Sequence, residues 1–278
     1  FYAQKSWFNI GRIIKMSVKI KDIEVCSQCG NKNCSYKDAR VKTNFYGLRT
    51  EETVCPTTVL TDGPLDKAKG NMLDDKDCID CGLCELSCHN KNIECADVDF
   101  CKNSFESLST QQCNAIACSY LNHIFEFAAN TNRNKALQFD GYASTVNGKE
   151  AFVQIDQDND SLESVRRLIG DFLLYSPADR RIQIGIVVLQ ELPKEGSRDV
   201  YNVLESLKKF PTTSNYKFYF TTFKLLRFIA LHLEFSDFDF SDLLLDLSEN
   251  NNISELYSTL KDVAPDKDEK IKMLLNIV

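Results

Sequence analysis

The stretch "DCIDCGLCELSCHN" at residues 77–90 constrains the fold of this chain more than any other feature. Its cysteines are separated by two, two and three residues, and they are Cys78, Cys81, Cys84 and Cys88. Short spacers let three thiolates wrap one corner of an iron–sulfur cubane, and Gly82 relieves the tight backbone between them. Zinc sites favour two separated C-x2-C pairs, so this spacing fits a cubane better than zinc.

The distribution of cysteines indicates metal ligation. All 12 cysteines of the 278-residue chain lie between Cys26 and Cys118. A secreted domain stapled by disulfides normally has a leader and fewer than about 100 residues. The sequence shows no such leader and no run of about 18 apolar residues. We therefore expect metal ligands in a reducing, cytoplasmic compartment and no membrane partner.

Composition changes near residue 105. The part before it is rich in cysteine and turn residues and needs metal clusters as staples. We predict an iron–sulfur domain at residues 1–104, an α/β domain at residues 105–235 and a helical tail at residues 236–278. Residues 1–50 carry ten Lys and Arg against three Asp and Glu. This basic segment is either a solvated surface or an attraction site for nucleic acid or an acidic partner.

The second half has regular periodicity. Residues 107–129 show helical apolar spacing, with Ser109 or Thr110 as a candidate N-cap. Two strands then flank Asn147-Gly148, the strongest short hairpin signal. Helices and strands alternate further along, in the order α-β-β-α-β-α-β-α. This order predicts an α/β domain with a mixed central sheet.

Further cysteines upstream extend the motif at residues 77–90. "CSQCGNKNC" begins at Cys26, and Cys55 is followed by Pro56. With these, residues 18–95 resemble a bacterial-type ferredoxin with two [4Fe–4S] clusters, in which the fourth cysteine of each run binds the other cluster. The resemblance implies an α+β ferredoxin-like fold. One cluster would be held by Cys26, Cys29, Cys34 and Cys88, and the other by Cys78, Cys81, Cys84 and Cys55.

The chain departs from the ferredoxin pattern in two places. The first cysteine run is stretched by a four-residue spacer, and His89 occupies the position of the usual proline. His89 is a replacement at a turn, a donor to a cluster sulfur or a ligand. Four cysteines remain beyond the eight, and they form a third metal site or are buried thiols. They are Cys95, Cys101, Cys113 and Cys118.

The order of elements after residue 108 resembles the core of the restriction-endonuclease-like (PD-(D/E)xK) superfamily. In that family a helical acid, a strand Asp and an E-x-K on the next strand gather Mg²⁺ around a scissile phosphate. Asp140 matches the strand Asp, and Glu126 matches the helical acid. Gln154 and Asp156 stand where the Glu and Lys of E-x-K are expected, so both are replaced. The implied catalytic residues are Asp140, Glu126, Gln154 and Asp156, with Mg²⁺ as cofactor.

Strand register bears on this site. With a regular two-residue turn in the hairpin, Asp140 pairs with Ile155, so Gln154 and Asp156 face the opposite side of the sheet. A bulge, for which Gly141 is a candidate, is required to bring them to Asp140.

These patterns support two functions. The first is an iron–sulfur protein fused to a nuclease-fold domain, which binds or processes nucleic acid with altered or lost Mg²⁺-dependent cleavage. Its partners would be nucleic acid or a nucleic-acid-processing protein, and an enzymatic version would be a metal-dependent nuclease. The alternative is a ferredoxin-type electron-transfer subunit whose α/β domain docks a redox partner protein. No dinucleotide fingerprint or phosphate-binding glycine loop is present.

Overall fold

A computed structural model describes residues 18–29, 68–69, 72–73, 78–95, 108–130, 138–175, 182–193, 198–233, 238–248 and 252–277. Cys34, Cys55, Cys101 and the first 16 residues lie outside these ranges. Of the helices within them, none has the length and apolar character that a membrane crossing requires.

The amino-terminal part contains a small antiparallel sheet with the strand order β2-β3-β1-β4. Its elements are β1 (Val18–Ile20), α1 (Ile23–Ser27), β2 (Ala68–Lys69), β3 (Met72–Leu73), α2 (Leu83–Leu86) and β4 (Ile93–Cys95). Strand β1 lies between β3 and β4, with Val18 opposite Cys95. Asp22 is the N-cap of helix α1, and its carboxylate accepts from the amides of Glu24 and Val25. Such a cap satisfies amides that have no partner inside the helix.

The second half contains a five-stranded mixed sheet with the order β5-β6-β7-β8-β9. Strands β5, β6 and β7 are antiparallel neighbours, whereas β7, β8 and β9 run parallel. The predicted mixed central sheet is confirmed, and the chain is of the α+β class. The elements are α3 (Thr110–Ile124), β5 (Glu126–Ala129), β6 (Gly141–Ser144), β7 (Glu150–Ile155), α4 (Ser161–Leu174), β8 (Ile184–Leu189), α5 (Arg198–Lys209), β9 (Lys217–Thr222) and α6 (Phe223–His232).

Helix α3 is shorter than the periodicity predicts. Ser109 is its N-cap, and the Ser109 and Gln112 side chains form a capping box. The helix ends at Ile124, because Phe125 adopts an extended backbone. The chain then forms strand β5, which the predicted order lacks. The placement of Glu126 on the helix is therefore wrong: Glu126 is an exposed residue of an edge strand.

The hairpin between β6 and β7 has a three-residue loop. The carbonyl of Thr145 accepts a hydrogen bond from the amide of Gly148, and the amide of Thr145 donates to the carbonyl of Lys149. Gly148 has a φ of 76°. A three-residue loop of this kind places its bulge at the left-handed glycine. The predicted two-residue turn is wrong, and so is the predicted register. Gly141 pairs with Val153, which puts Asp140 opposite Gln154 instead of Ile155.

The central strands are buried along their length. Strands β7, β8 and β9 each begin at a less buried residue and continue with five buried ones, as is typical of strands covered on both faces. Helix α4 covers the face that carries Phe152, whose ring stacks on Phe139 at 4.2 Å and on Phe172 at 5.6 Å. Gln154 lies two residues after Phe152 on β7 and Asp140 stands opposite Gln154, so both side chains are on this same face.

The last residues pack into the same core as the sheet. Phe220 of β9 exchanges backbone hydrogen bonds with Leu245, and Leu244, Leu260 and Ile271 are buried. Three short α-helices and a 3₁₀ turn are present in the described part of the tail, where two helical stretches were predicted. They are α7 (Phe240–Leu243), α8 (Asn252–Val263), the 3₁₀ turn (Pro265–Lys267) and α9 (Asp268–Leu274). The domain boundaries stay predictions.

Candidate functional site

The loop that carries the first three cysteines of the 78–88 run is tightly folded. Asp80 and Gly82 both have positive φ values, of 54° and 76°. Two left-handed residues so close together turn the backbone sharply, and glycine adopts this conformation without steric cost. Cys81 and Cys84 are buried and Cys78 is half-buried. The thiols therefore lie on the protein side of the loop.

This loop packs against helices of the α/β part. Arg227 of α6, itself buried, donates from Nε to the carbonyl of Asp80 at 2.8 Å. The hydroxyl of Tyr120 on α3 donates to the carbonyl of Cys81. A β-carbon on Gly82 would lie 3.0 Å from the Leu231 side chain. The loop is thus an integral part of the packing between α3 and α6.

We define the first thiol group as Cys26, Cys29 and Cys88. The pKa of Cys26 is raised, first by burial and then by the neighbouring Cys88 and Cys29. Asn92 brings these distant segments together. Its amide donates to Cys88 Sγ at 3.3 Å, and its side chain donates to the carbonyl of Asp22 at 2.7 Å. The structure therefore brings together three of the four cysteines predicted for one cluster.

We define the second thiol group as Cys78, Cys81, Cys84 and Cys95. Cys84 Sγ lies 3.7 Å from Cys95 Sγ. This contact raises the pKa of Cys84 well above its usual range, and burial and the nearby Cys95, Cys81 and Cys78 raise it further. Three of these four cysteines belong to the set predicted for the other cluster. Cys95 is an addition to that set, since the sequence predicted it only as part of a third metal site or as a buried thiol.

His89 lies in the turn that follows Cys88 and is exposed. The carbonyl of Cys88 accepts the amide of Lys91, which closes this turn. Of the three roles considered for His89, replacement of proline at a turn agrees best with this position.

The donor atoms of both groups suit an iron–sulfur cluster. Cluster ligands in proteins are mainly Cys thiolates, and both groups consist of cysteines. Within the described ranges, no three His, Cys, Asp or Glu side chains are arranged around one metal ion. In a cubane each thiolate binds a different iron, so the ligand sulfurs stand further apart than the 3.7 Å between Cys84 Sγ and Cys95 Sγ.

Two further cysteines lie inside helix α3. Cys113 and Cys118 are both buried, and burial raises the pKa of Cys113 to about 11. Both thiols belong to the buried core of the five-stranded sheet, where cysteine packs as a small apolar side chain. Of the two alternatives for these residues, the buried thiol agrees with their position.

A second candidate site lies at the start of β6. Asp140 Oδ2 accepts from Gln154 Nε2 at 3.0 Å and from the amide of Ile155 at 2.7 Å. The glycine bulge in the hairpin loop shifts the register by one residue and so makes this contact possible. Gly141 plays no part in this shift, contrary to the prediction.

Asp140 sits in an environment that disfavours its charge. Burial raises its pKa to about 6, and Asp156 and Asp171 raise it too, while the Ile155 amide and Arg167 act against this rise. Asp171 is buried on α4, and burial raises its pKa as well. Carboxylates with raised pKa values in one place are typical of functional sites, although structural networks also produce them.

Asp156 follows β7 and is held by helix α4. Its Oδ2 accepts from the Ser164 hydroxyl at 2.8 Å, and its Oδ1 accepts from the amide of Asp158 at 2.8 Å. Glu126 is not part of this arrangement. Glu126 pairs with Ser144, at the opposite end of the β5–β6 ladder from Asp140. The structure therefore brings Asp140, Gln154 and Asp156 to one region and leaves Glu126 outside it.

Sequence reasoning missed the residues that helices α4 and α6 contribute. Asp171 stands three residues after Leu168, on the apolar face of α4. Arg227 interrupts the apolar run of α6. A charged residue at an apolar helical position is a signal of a buried polar contact, and it could have pointed to both.

Comparison of the sequence with protein-family models, curated proteins and solved structures gives no match. The function is therefore argued from the residues and their geometry.

Proposed function

We propose that this chain is an iron–sulfur protein with two [4Fe–4S] clusters, whose cluster-binding loop is built into an α/β domain of nuclease-like arrangement. The observation that carries the proposal is the division of the described thiols into two groups. Cys88 packs against the buried cluster that contains Cys84 and Cys95, and it is also a neighbour of Cys26, whose other thiol neighbour is Cys29. Cys88 thus reaches across to the other cysteine run. This crossing over is what the ferredoxin resemblance predicts. Cys34 and Cys55 stay predictions from that resemblance.

The packing of the loop favours a structural or sensing role for the second cluster. Ile79, Cys81 and Leu83 belong to the same buried core as the five-stranded sheet. Thiolate–iron bonds at this place would stabilise the loop, and with it the contacts that Tyr120 and Arg227 make. Gain or loss of the cluster would then change the packing of the loop against α3 and α6.

We assign the α/β domain a role in binding nucleic acid or a nucleic-acid-processing partner. Asp140, Gln154 and Asp156 offer oxygen atoms, the ligands that Mg²⁺ prefers. Within the described residues, Gln154 Oε1 is buried without a hydrogen-bond partner, which leaves an acceptor for a cation. The lysine of the E-x-K pattern is absent, because Asp156 stands in its place. Cleavage would therefore be lost or much altered, while cation-dependent binding is retained.

Anaerobic purification with iron and sulfide analysis tests the cluster assignment. About eight irons per chain, with matching sulfide, is the expected result. About two zinc ions per chain without sulfide would contradict it.

Nucleic-acid binding and cleavage assays with Mg²⁺ or Mn²⁺ test the second domain. The wild-type chain is compared with Asp140→Ala, and Asp140→Asn serves as the variant of matched size. Cation-dependent binding that weakens in both variants is expected. Cleavage or cation-dependent binding that survives in Asp140→Ala would contradict the assignment of this site.

The second candidate function is electron transfer to a redox partner protein. It is favoured by the half-buried thiols of the first group, because a solvent-near cluster exchanges electrons with a docked partner. Voltammetry separates the two functions. Two reversible low-potential couples favour electron transfer, whereas clusters that resist reduction until the protein unfolds favour the structural role.

A further inference from the structure

Cys95 is the last residue of β4 and faces the interior. Its neighbours alternate, with Ile93 buried, Glu94 exposed and Cys95 buried. In a strand, alternate residues point to the same side, so Cys95 lies on the side of Ile93. Pairing with Val18 holds this end of the strand in the small sheet.

Helix α2 and strand β4 are joined directly at Cys95. The amide of Cys95 donates to Glu85 Oε2 at 2.8 Å, and Glu85 follows Cys84 in the helix. Cys84 and Cys95 share a buried cluster with Val18 and Ile93, and both Cys78 and Cys88 pack against it. Cys95 is thus held among the thiols of the second group by backbone and side-chain contacts.

The two groups contain seven described thiols, and Cys34, as a predicted ligand, would bring the total to eight without Cys55. The first group has three described members, and Cys34 continues the same run as its fourth. The second group has four described members, of which Cys95 is one.

We infer that Cys95, and not Cys55, is the fourth thiolate ligand of the second cluster. This inference rests on the proposed function, because it assumes that the second group binds a [4Fe–4S] cluster. It departs from the ferredoxin pattern, in which the Cys-Pro cysteine would complete this set.

The 3.7 Å separation of Cys84 Sγ and Cys95 Sγ is a thiol hydrogen-bond distance, in which either sulfur can be the donor. Ligation requires each thiol to release its proton to solvent as its sulfur–iron bond forms, and no electron is transferred. The two sulfurs must also move apart to reach different irons. A change of side-chain rotamer at either cysteine provides such a movement.

The test uses the full chain, purified without oxygen, in four forms: wild type, Cys95→Ala, Cys55→Ala and Cys113→Ala. Cys113→Ala is the control for the loss of a buried thiol, because Cys113 is a buried cysteine of α3 that belongs to neither group. Iron and sulfide per chain are measured, together with the EPR spectrum of the reduced protein. Circular dichroism shows whether each variant is folded.

The expected result is about eight irons in wild type, Cys55→Ala and Cys113→Ala, and about four in Cys95→Ala. The spectrum of Cys95→Ala should also lose the magnetic interaction between two reduced clusters. Eight irons in Cys95→Ala, or loss of a cluster in Cys55→Ala, would overturn the inference. A wild-type chain without iron and sulfide would instead overturn the proposed function.

Cys95→Ser covers the case in which Cys95→Ala does not fold. Serine keeps the size of the side chain and offers an oxygen ligand in place of sulfur. An altered EPR spectrum of one cluster, with the other unchanged, supports ligation by residue 95. A spectrum identical to wild type contradicts it.

Discussion

Arg227 Nε donates to the carbonyl oxygen of Asp80 at 2.8 Å, which joins helix α6 to the cysteine loop across 147 residues of sequence. The guanidinium is buried, with 3% of the residue exposed. A hydrogen bond from a charged donor contributes more than one between neutral groups, and its loss in a buried place costs more. The Arg227 side chain is therefore one of the links between the stability of the loop and that of the core of the five-stranded sheet.

Replacing Arg227 by methionine keeps an unbranched apolar stem and removes the donor. We expect Arg227→Met to lower the free energy of unfolding by about 1–3 kcal/mol. We also expect faster loss of iron to a chelator, because the loop loses one of its two anchors. Urea unfolding and the rate of iron release measure the two effects. Arg166→Met, at an exposed position of α4, is the matched control and should change neither.

The Tyr120 hydroxyl is the second anchor, and Tyr120→Phe removes it without changing the ring. We expect a loss of about 1 kcal/mol in the free energy of unfolding, because the carbonyl of Cys81 loses a buried donor. Both anchors hold the same loop, so their effects should not add. A double-mutant cycle with Arg227→Met should show an interaction of at least about 0.5 kcal/mol. Strict additivity would mean that the two contacts act independently.

Asp140 makes stability depend on pH. Burial raises its pKa from 3.8 to about 6, so the folded chain holds this proton more tightly than the unfolded chain. The resulting stabilisation is complete below about pH 4 and is lost as the pH rises through about 6. The gap between the two pKa values corresponds to about 3 kcal/mol.

Asp140→Asn removes this titration and keeps an acceptor for Gln154 and Ile155. We expect the variant to be more stable than wild type by about 1–3 kcal/mol near pH 7 and to differ less near pH 5. Urea unfolding at both pH values, in buffer without divalent cations, measures the difference. An equal difference at both pH values would show that the carboxylate does not titrate in this range.

The cysteine runs and most helices could be predicted because they depend on the spacing of residues close together in the sequence. The predictions for α4, α5 and α6 agree with the structure, since each has apolar residues at helical spacing between turn signals. Strand β5 could not be predicted in this way. Its residues continue the apolar pattern of α3, and only the extended backbone at Phe125 ends the helix.

The candidate sites depended on tertiary geometry that the pattern does not contain. One residue of register decides whether Gln154 meets Asp140, and this register follows from the left-handed backbone at Gly148. The approach of Cys95 to Cys84 likewise follows from the packing of β4 against α2, where the Cys95 amide donates to Glu85. Spacing along the chain predicted which residue types matter, but not which of them share a site.

Gly141 and Gly170 test the packing near Asp140, because alanine should destabilise the protein at the first position and stabilise it at the second. In Gly141→Ala the new β-carbon would overlap the ring of Phe127 and lie 2.8 Å from the backbone oxygen of Ala128. Backbone cannot move aside easily, so we expect a loss of about 3 kcal/mol in the free energy of unfolding. Gly170 lies inside α4, and a β-carbon there meets nothing within 4 Å.

Gly170→Ala should therefore raise the free energy of unfolding by about 0.5–1 kcal/mol, because alanine restricts the unfolded chain and favours the helix. Urea unfolding of both variants gives the two changes under the same conditions. If Gly141→Ala were tolerated as well as Gly170→Ala, β5 would not lie against β6 as the register requires. The same result would remove the support for Asp140 opposite Gln154, since both contacts depend on the position of β6 in the sheet.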